Sequence, residues 1–354
     1  MRSAPSRFAM LCAATVALTT TASAQESELY VIGVHPHGIV VFDGTKNEIV
    51  GQIQTRGRAP KEIVPSPDGK FLYVTSDGRA KLEVVNLQTR TVDKVFDLAP
   101  PASHLTIFGV VLNSKGDRLY VHVKPVRQLI DRYVVDAPQV WSLDLVSGKT
   151  QKIAEVPQGV SALALTRDER TLVAWGRDIY HIDLSQGRIT DTYRLMNPSN
   201  PTDGALNTLA LFVQYERSGI FSIPYYTRDP ITSKDLMGLV DLDVGTGHVE
   251  TIELGSPIPL YSAVVSPDRK RAYAVMNQLV AVDLEQKRVM KVVDLDRTRY
   301  VANISRDGKR VFVSGAAPFI HVYDAESLQL LKTIELPGDP AVTAFRALPD
   351  SGSH

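Results

Sequence analysis

A turn-and-strand unit recurs along most of this chain, and it limits the possible folds more than any other feature. Each copy begins with a short polar turn, and an apolar run such as Phe71–Val74 follows it. Pro and Asp favour tight turns and Gly supplies positive φ, so turns of this composition connect antiparallel strands. The copies lie at Ser66–Lys70, Ser114–Asp117, Arg167–Arg170, Ser266–Lys270 and Arg306–Lys309, with a weaker one at Glu216–Gly219.

A second mark, an apolar residue next to Asp or Asn, follows further along each unit. The seven marks are 43, 58, 39, 58, 42 and 41 residues apart, close to the ~40 to 50 residues of a four-stranded propeller blade. We therefore predict an all-β fold, a seven-bladed β-propeller of four-stranded antiparallel blades. The marks are Phe42-Asp43, Val85-Asn86, Leu143-Asp144, Ile182-Asp183, Val240-Asp241, Val282-Asp283 and Tyr323-Asp324.

The two ends of the repeat region predict how the ring closes. The first unit has runs for only three strands, at Leu29–Gly33, Ile39–Asp43 and Glu48–Ile53, and it lacks an innermost strand. The segment Ala341–Ala347 is one strand long and mostly apolar, so it can fill that vacancy. Closure by strands from both ends removes exposed sheet edges.

The first 24 residues are typical of a cleavable signal peptide. Arg2 and Arg7 precede a short apolar stretch, and Ala22-Ser23-Ala24 is a small-x-small cleavage signal. About eleven apolar residues are too few for a membrane anchor, which needs ~20. We expect an exported protein cleaved after Ala24, with one propeller over residues 25–348 and a flexible tail over 349–354.

Composition and motifs predict little chemistry in this chain. Its formal net charge of zero gives no reason to expect nucleic acid or an anionic membrane as a partner. The only cysteine, Cys12, lies in the leader, so the mature chain cannot attach haem or form a disulfide. No metal, phosphate or calcium motif is present.

His35 and His37 could hold a metal, although Pro36 between them favours a solvated turn. We expect no catalytic, cofactor or metal site in this chain.

Long connections are predicted to share one face of the propeller. Pro125–Pro138 and Tyr225–Met237 join second and third strands, and Met196–Ala205 joins an outer strand to the next inner strand. These two kinds of connection emerge on the same face, and long loops commonly bind partners. The candidate residues for a partner interface or substrate pocket are Phe108, Arg127, Arg132, Tyr133, Arg177, Asp178, Tyr225, Tyr226 and Thr227.

Several segments, in the same order, resemble the β subunit of the quinohemoprotein amine dehydrogenases. The likeness covers nearly the whole mature chain and includes both insertions, whereas its Asp-Gly turns are common to propellers, among them the YVTN-type propellers and the methylamine dehydrogenase heavy chain. The more discriminating segments are Lys124–Arg127, Trp175–Asp178 and Tyr225–Thr227, with further likeness at Ile107–Leu112, Ser218–Phe221, Asn303–Gly308, Val322–Leu328 and Leu336–Gly338.

The resemblance implies a periplasmic heterotrimer that oxidises primary amines to aldehydes and ammonia and passes electrons to a redox carrier. In that family, a small γ subunit carries cysteine tryptophylquinone and an α subunit carries two c-type haems, while the β subunit holds the quinone-bearing subunit. This chain would then be a cofactor-free subunit of an enzyme and not catalytic alone. Two alternatives remain, a stand-alone exported propeller that binds a protein or polymer and a lactonase-like hydrolase.

Overall fold

The computed structural model describes residues 27–200, 202–341 and 343–350, which form seven antiparallel sheets. Sheets from consecutive parts of the chain are arranged around an axis as a seven-bladed β-propeller, as predicted. No helix long and apolar enough to cross a membrane occurs within those residues. The signal-peptide prediction for residues 1–24 lies outside them.

Each blade contains four strands in order from the axis outward, and blade 3 carries a short fifth strand. The strands are, in blade 1, β1 (Leu29–Val34), β2 (Gly38–Asp43), β3 (Glu48–Gln54) and the innermost β29 (Phe345–Ala347); in blade 2, β4 (Ile63–Pro65), β5 (Phe71–Ser76), β6 (Lys81–Asn86) and β7 (Thr91–Asp97); in blade 3, β8 (Ser103–Leu112), β9 (Arg118–Gln128), β10 (Tyr133–Val135), β11 (Gln139–Asp144) and β12 (Thr150–Glu155); in blade 4, β13 (Ala162–Leu165), β14 (Thr171–Trp175), β15 (Ile179–Asp183) and β16 (Arg188–Tyr193); in blade 5, β17 (Asn207–Thr208), β18 (Ile220–Arg228), β19 (Asp235–Asp243) and β20 (Val249–Gly255); in blade 6, β21 (Leu260–Val265), β22 (Arg271–Met276), β23 (Gln278–Asp283) and β24 (Arg288–Asp294); and in blade 7, β25 (Arg299–Ile304), β26 (Arg310–Gly315), β27 (Ala317–Asp324) and β28 (Leu330–Glu335).

The repeated turn motif connects the first and second strands of a blade, and its polar side chains hold it closed. The Ser66 hydroxyl donates to an Asp68 carboxylate oxygen at 2.6 Å, and the same oxygen accepts the Lys70 amide at 3.1 Å. Gly69 follows at φ +66°, where a side chain would be strained. The turns at Ser266 and Ser305 repeat the hydroxyl-to-carboxylate bond at 2.6 Å. The motif is therefore closed mainly by hydrogen bonds among its own residues.

The second repeated mark caps the turn between the third and fourth strands. In blade 3, for example, the Asp144 carboxylate accepts the Ser147 amide at 2.7 Å. Blade 5 departs from the predicted pattern, because Asp243 rather than Asp241 accepts the Thr246 amide, at 3.0 Å. Asp241 instead points into the blade, where burial raises its pKa to about 6.

The ring closes as predicted, through β29 pairing with β1. Ile32 is opposite Phe345, and Tyr30 is opposite Ala347. The closing strand is shorter than the predicted Ala341–Ala347, because Thr343 turns its hydroxyl to the Gly33 carbonyl at 2.9 Å instead of joining the ladder. Blade 1 is thus completed by only three residues at its inner edge.

The segment predicted as a flexible tail is tied to the ring at its described end. Pro349 and Asp350 are half-buried, and the Asp350 carboxylate pairs with Arg217 at 3.2 Å and also with Arg306. A boundary at residue 348 therefore does not separate the propeller from a free segment. Residues 351–354 lie outside the described part.

The two long insertions between second and third strands are not loops, which corrects the sequence prediction. In blade 3, β9 extends to Gln128 and turns back as β10, while in blade 5, β18 and β19 continue as a nine-residue ladder. Residues Tyr225–Arg228 therefore lie within a strand. Both insertions are hairpins on the predicted face, which we call the insertion face.

One segment of blade 5, Leu209–Gly219, lies outside the strands and contacts residues of blades 7 and 1. Phe212 packs in the same core cluster as Phe345 of blade 1, and its ring stacks on Tyr300 of blade 7 at 6.2 Å. Further along, Glu216 pairs with Arg346, and Arg217 pairs with Glu28 at 3.1 Å. Since blades 5 and 1 are separated by two others, these side-chain contacts are made across the central channel, near the face opposite the insertions.

Candidate functional site

The blade 3 hairpin stands out from the insertion face and ends in apolar side chains. We call residues 123–135, with the paired residues 103–108 of β8, the blade 3 arm. Its base is braced by Arg127, whose Nε and Nη2 donate to the Asp136 carboxylate at 2.8 and 2.9 Å. Its tip exposes Ile130 completely and Tyr133 at 61% of its surface. Large apolar side chains held in solvent on a rigid hairpin are typical of a contact surface for another protein.

The blade 5 hairpin forms a second projection, residues 226–237, which we call the blade 5 arm. At its tip, the Asp229 carboxylate accepts the amides of Ile231 and Thr232 at 2.8 and 2.6 Å. This turn leaves the Ile231 side chain 76% exposed. Blades 3 and 5 flank blade 4, so the two arms stand on either side of that blade with an apolar residue at each tip.

The tyrosines of blade 5, predicted as interface residues, are mainly structural. Tyr225 is buried in a core cluster with Trp175, and burial, with the charge of Glu253, raises its pKa to about 12. The Tyr226 hydroxyl accepts the Leu260 amide at 2.5 Å and so ties blade 5 to blade 6. Thr227 is half-buried beside them. Only the arm beyond these residues is free to contact a partner.

Blade 4 contributes Arg177 and Asp178, and the structure separates their roles. Asp178 is buried, and its carboxylate accepts the amides of Leu195 and Met196 at 2.7 and 2.9 Å and the Asn197 side-chain amide at 3.2 Å. Burial alone would raise the pKa of Asp178, but these hydrogen bonds outweigh it and lower the pKa. Asp178 therefore fixes the start of the long 196–205 connection, whereas Arg177 is exposed between the two arms.

Phe108, the remaining candidate, lies at the base of the blade 3 arm between two cations. The Arg79 guanidinium carbon is 4.4 Å from the ring centroid, and the Lys124 ammonium is 4.2 Å from it. Arg79 also donates to the Glu62 carboxylate at 3.2 Å. Sequence reasoning missed Arg79 and Lys124, because no motif links a turn in blade 2 to a strand in blade 3.

The structure thus brings the predicted candidates to one face, but they do not form a single site there. Arg127, Arg132 and Tyr133 belong to the blade 3 arm, and Arg132 is exposed and pairs with neighbouring Asp131 at 2.9 Å. Across 27–200, 202–341 and 343–350, no three His, Cys, Asp or Glu side chains are grouped closely enough to hold a metal ion. His35 and His37 occupy a turn between β1 and β2, as the sequence favoured.

A pocket of about 420 Å³ opens beside that turn, lined by His35, His37 and Gln52 with apolar neighbours. A second pocket of about 400 Å³ lies on the opposite face, where Arg217, Arg346 and Asp350 meet. In this second pocket, the cations are paired with carboxylates of the same chain. Neither pocket lies between the two arms.

Comparison with known proteins identifies the architecture. No family model matches the chain, and no curated protein matches its sequence. Among solved structures, hydrazine synthase of Kuenenia stuttgartiensis aligns with a TM-score of 0.58 and 15% identity, over 86% of this chain and 90% of that one. The dihydro-heme d1 dehydrogenase NirN, solved in complex with DHE, aligns with a TM-score of 0.54 and 15% identity, over 88% and 73%. A functionally unknown protein from Desulfotomaculum acetoxidans aligns with a TM-score of 0.60 and 12% identity, over 92% and 99%. At such low identities, the similarity shows that this chain shares the seven-bladed β-propeller fold with these proteins.

Proposed function

We propose that this chain is the propeller subunit of a periplasmic quinohemoprotein amine dehydrogenase. In this proposal, the insertion face holds a small subunit that carries cysteine tryptophylquinone, and a dihaem subunit with c-type haems completes a heterotrimer. The complex oxidises primary amines to aldehydes and ammonia and passes the electrons to a redox carrier. This chain supplies the protein surface, while the partners supply the redox chemistry.

One observation carries the proposal: the arms of blades 3 and 5 project from the same face on either side of blade 4. Ile130 and Ile231 at their tips are largely exposed, and the distance between the arms is set by the rigid sheets beneath them. A small partner placed over blade 4 would contact both tips and the exposed Arg177. Apolar and arginine side chains in such positions commonly provide most of the binding energy of an interface.

The resemblance in sequence supports the same proposal, because its discriminating segments lie in this region. Lys124–Arg127 runs along the blade 3 arm, Trp175–Asp178 forms the tight turn of blade 4, and Tyr225–Thr227 leads into the blade 5 arm. The mature sequence also contains no cysteine, and a chain without cysteine cannot build either cofactor of the complex.

Affinity purification of the tagged mature chain from the periplasm of its source organism tests the proposal. We expect a small cysteine-rich protein and a protein with c-type haem absorbance to co-purify, with amine-dependent reduction of a dye. The chain purified alone should have no visible chromophore and no such activity. Solitary elution without haem, or amine oxidation by the isolated chain, would contradict the assignment.

Charged substitutions at the arm tips locate the contact. Ile130→Asp combined with Ile231→Asp should reduce recovery of the partners at least tenfold, because burying a charge in an apolar contact costs several kcal/mol. Val146→Asp is the matched control, since Val146 is an equally apolar residue, 85% exposed, in a turn of blade 3 on the opposite face. An equal loss with the control would mean that the arms do not hold the partner.

A further inference from the structure

Three half-buried cations lie close to one another on the insertion face. Arg79 and Lys124 contact the Phe108 ring, and Lys61 is near enough to Arg79 for their charges to interact. We call Lys61, Arg79, Lys124 and Phe108 the basic notch. Lys61 comes from the connection before β4, Arg79 from the turn between β5 and β6, and Lys124 from β9. The Arg79 guanidinium carbon is 4.4 Å from the Phe108 ring centroid, and the Lys124 ammonium is 4.2 Å from it. Because both cations contact the same ring, they are also close to each other. Two neighbouring blades thus bring like charges together.

The positive charge of the notch is only partly neutralised. Glu62 is buried and pairs with Arg79 at 3.2 Å, and in the part of the chain that the structure describes, neither Lys61 nor Lys124 forms an ion pair. Asp339 is the next carboxylate, and it acts on Lys61 only through its longer-range charge. Burial, and then the charge of Arg79, lower the pKa of both lysines.

His122 adds no charge to the notch. It lies opposite Phe108 in the β8–β9 pair, and the ring centroids are 6.2 Å apart. Its side chain is fully buried, and burial together with Lys124 lowers its pKa to about 3. The imidazole is therefore neutral at physiological pH, and the three cations of the notch have one ion-paired carboxylate, Glu62, and the longer-range charge of Asp339.

Main-chain contacts fix the backbone positions of the three cationic residues. The Ile107 amide donates to the Arg79 carbonyl at 2.8 Å, which joins the blade 2 turn to β8. Lys124 is opposite Thr106 in the β8–β9 ladder, and the Lys61 amide donates to the Thr75 carbonyl at 2.9 Å. Arg79 and Lys124 also have cation–π contacts with the Phe108 ring. The fold therefore keeps these like charges near one another before any ligand binds, and preorganised charge of this kind favours binding.

We propose that the basic notch is a binding site for a carboxylate group. The ammonium groups of Lys61 and Lys124 and the guanidinium donors of Arg79 not bound to Glu62 offer charge-assisted hydrogen bonds of the kind that carboxylates accept. Phe108 keeps Arg79 and Lys124 near each other through its cation–π contacts with both. The proposal does not depend on the amine dehydrogenase assignment, because the site is complete in the isolated chain.

Acetate is the probe for the test. The melting temperature of the purified mature chain is measured while sodium chloride is replaced by sodium acetate at constant ionic strength. We expect a saturable rise of about 2 °C or more. The double variant Lys61→Gln with Lys124→Gln should lose this response, whereas Lys115→Gln with Lys149→Gln, exposed lysines on the opposite face, should keep it. No saturable rise in the wild type, or an undiminished rise in the notch variant, would overturn the proposal.

A second measurement separates binding from a purely structural role. Without acetate, the notch variant should melt at the same or a higher temperature than the wild type, because the substitutions relieve repulsion between cations. A lower melting temperature together with an intact acetate response would mean that the lysines serve packing, and it would overturn the proposal.

The source of the carboxylate is distinguished by partner recovery. If the carboxylate is an acidic side chain of a docked protein, the notch variant should co-purify at least tenfold less partner than the Lys115→Gln, Lys149→Gln control. If it is a small carboxylic acid, recovery should be unchanged while the acetate response is lost. Both results support a carboxylate site, and the acetate titration stands even if no partner is found.

Discussion

Closure of the ring depends on one fully buried side chain at the end of the propeller, Phe345. It is the first residue of the three-residue strand β29, and its ring centroid is 5.7 Å from that of Tyr30 and 6.5 Å from that of Phe42. Removing a buried Phe side chain costs about 3–5 kcal/mol. We therefore expect Phe345→Ala to lower the free energy of unfolding by about 4 kcal/mol, a large part of the ~5–15 kcal/mol typical of a folded domain.

A matched variant separates closure from simple cavity formation. Phe221 in blade 5 is also buried, and its ring is 5.1 Å from Trp175, but it takes no part in closure. Urea denaturation should give similar losses for Phe345→Ala and Phe221→Ala. Only Phe345→Ala should speed amide hydrogen exchange in Leu29–Val34, because this strand, β1, pairs with β29, which contains Phe345. A cost below about 1 kcal/mol, or exchange in Leu29–Val34 no faster than in the Phe221 variant, would refute this account of closure.

Two further predictions concern buried polar groups. Asp178→Ala should lower the free energy of unfolding by about 2 kcal/mol and make the 196–205 connection sensitive to protease. The control Arg177→Ala should change the free energy of unfolding by less than about 0.5 kcal/mol. Equal effects of the two substitutions would contradict the role given to Asp178. For His122, the folded-state pKa of about 3 lies below the unfolded value near 6.5, so the unfolded chain binds the extra proton between these values. The free energy of unfolding of the wild type, relative to that of His122→Phe, should therefore fall as the pH drops from 6.5 toward 3, by up to about 1.4 kcal/mol per pH unit. Urea denaturation at several pH values measures this difference, and a difference that does not change with pH would contradict the prediction.

Local chemistry explains why the blade count could be predicted. The Ser66-to-Asp68 and Asp144-to-Ser147 hydrogen bonds each join residues no more than three positions apart. Such turns form from their own residues, and the strands between them can be recognised from their short apolar runs in the sequence. The one misplaced mark, Asp241, has the same local composition as a turn cap, and only packing within blade 5 determines that Asp243 takes this role.

The sequence by itself therefore determined the seven blades, the closing strand and the face that carries the insertions, because each follows from short-range patterns or from strand order. Tertiary structure alone decided that the insertions are strands, that Tyr225 and Asp178 are structural, and that Leu209–Gly219 contacts blades 1 and 7. It also decided the basic notch, since Lys61 and Lys124 are 63 positions apart and carry no shared motif. Contacts of this kind depend on how separate blades are rotated about the axis, and no local pattern of residues encodes that rotation.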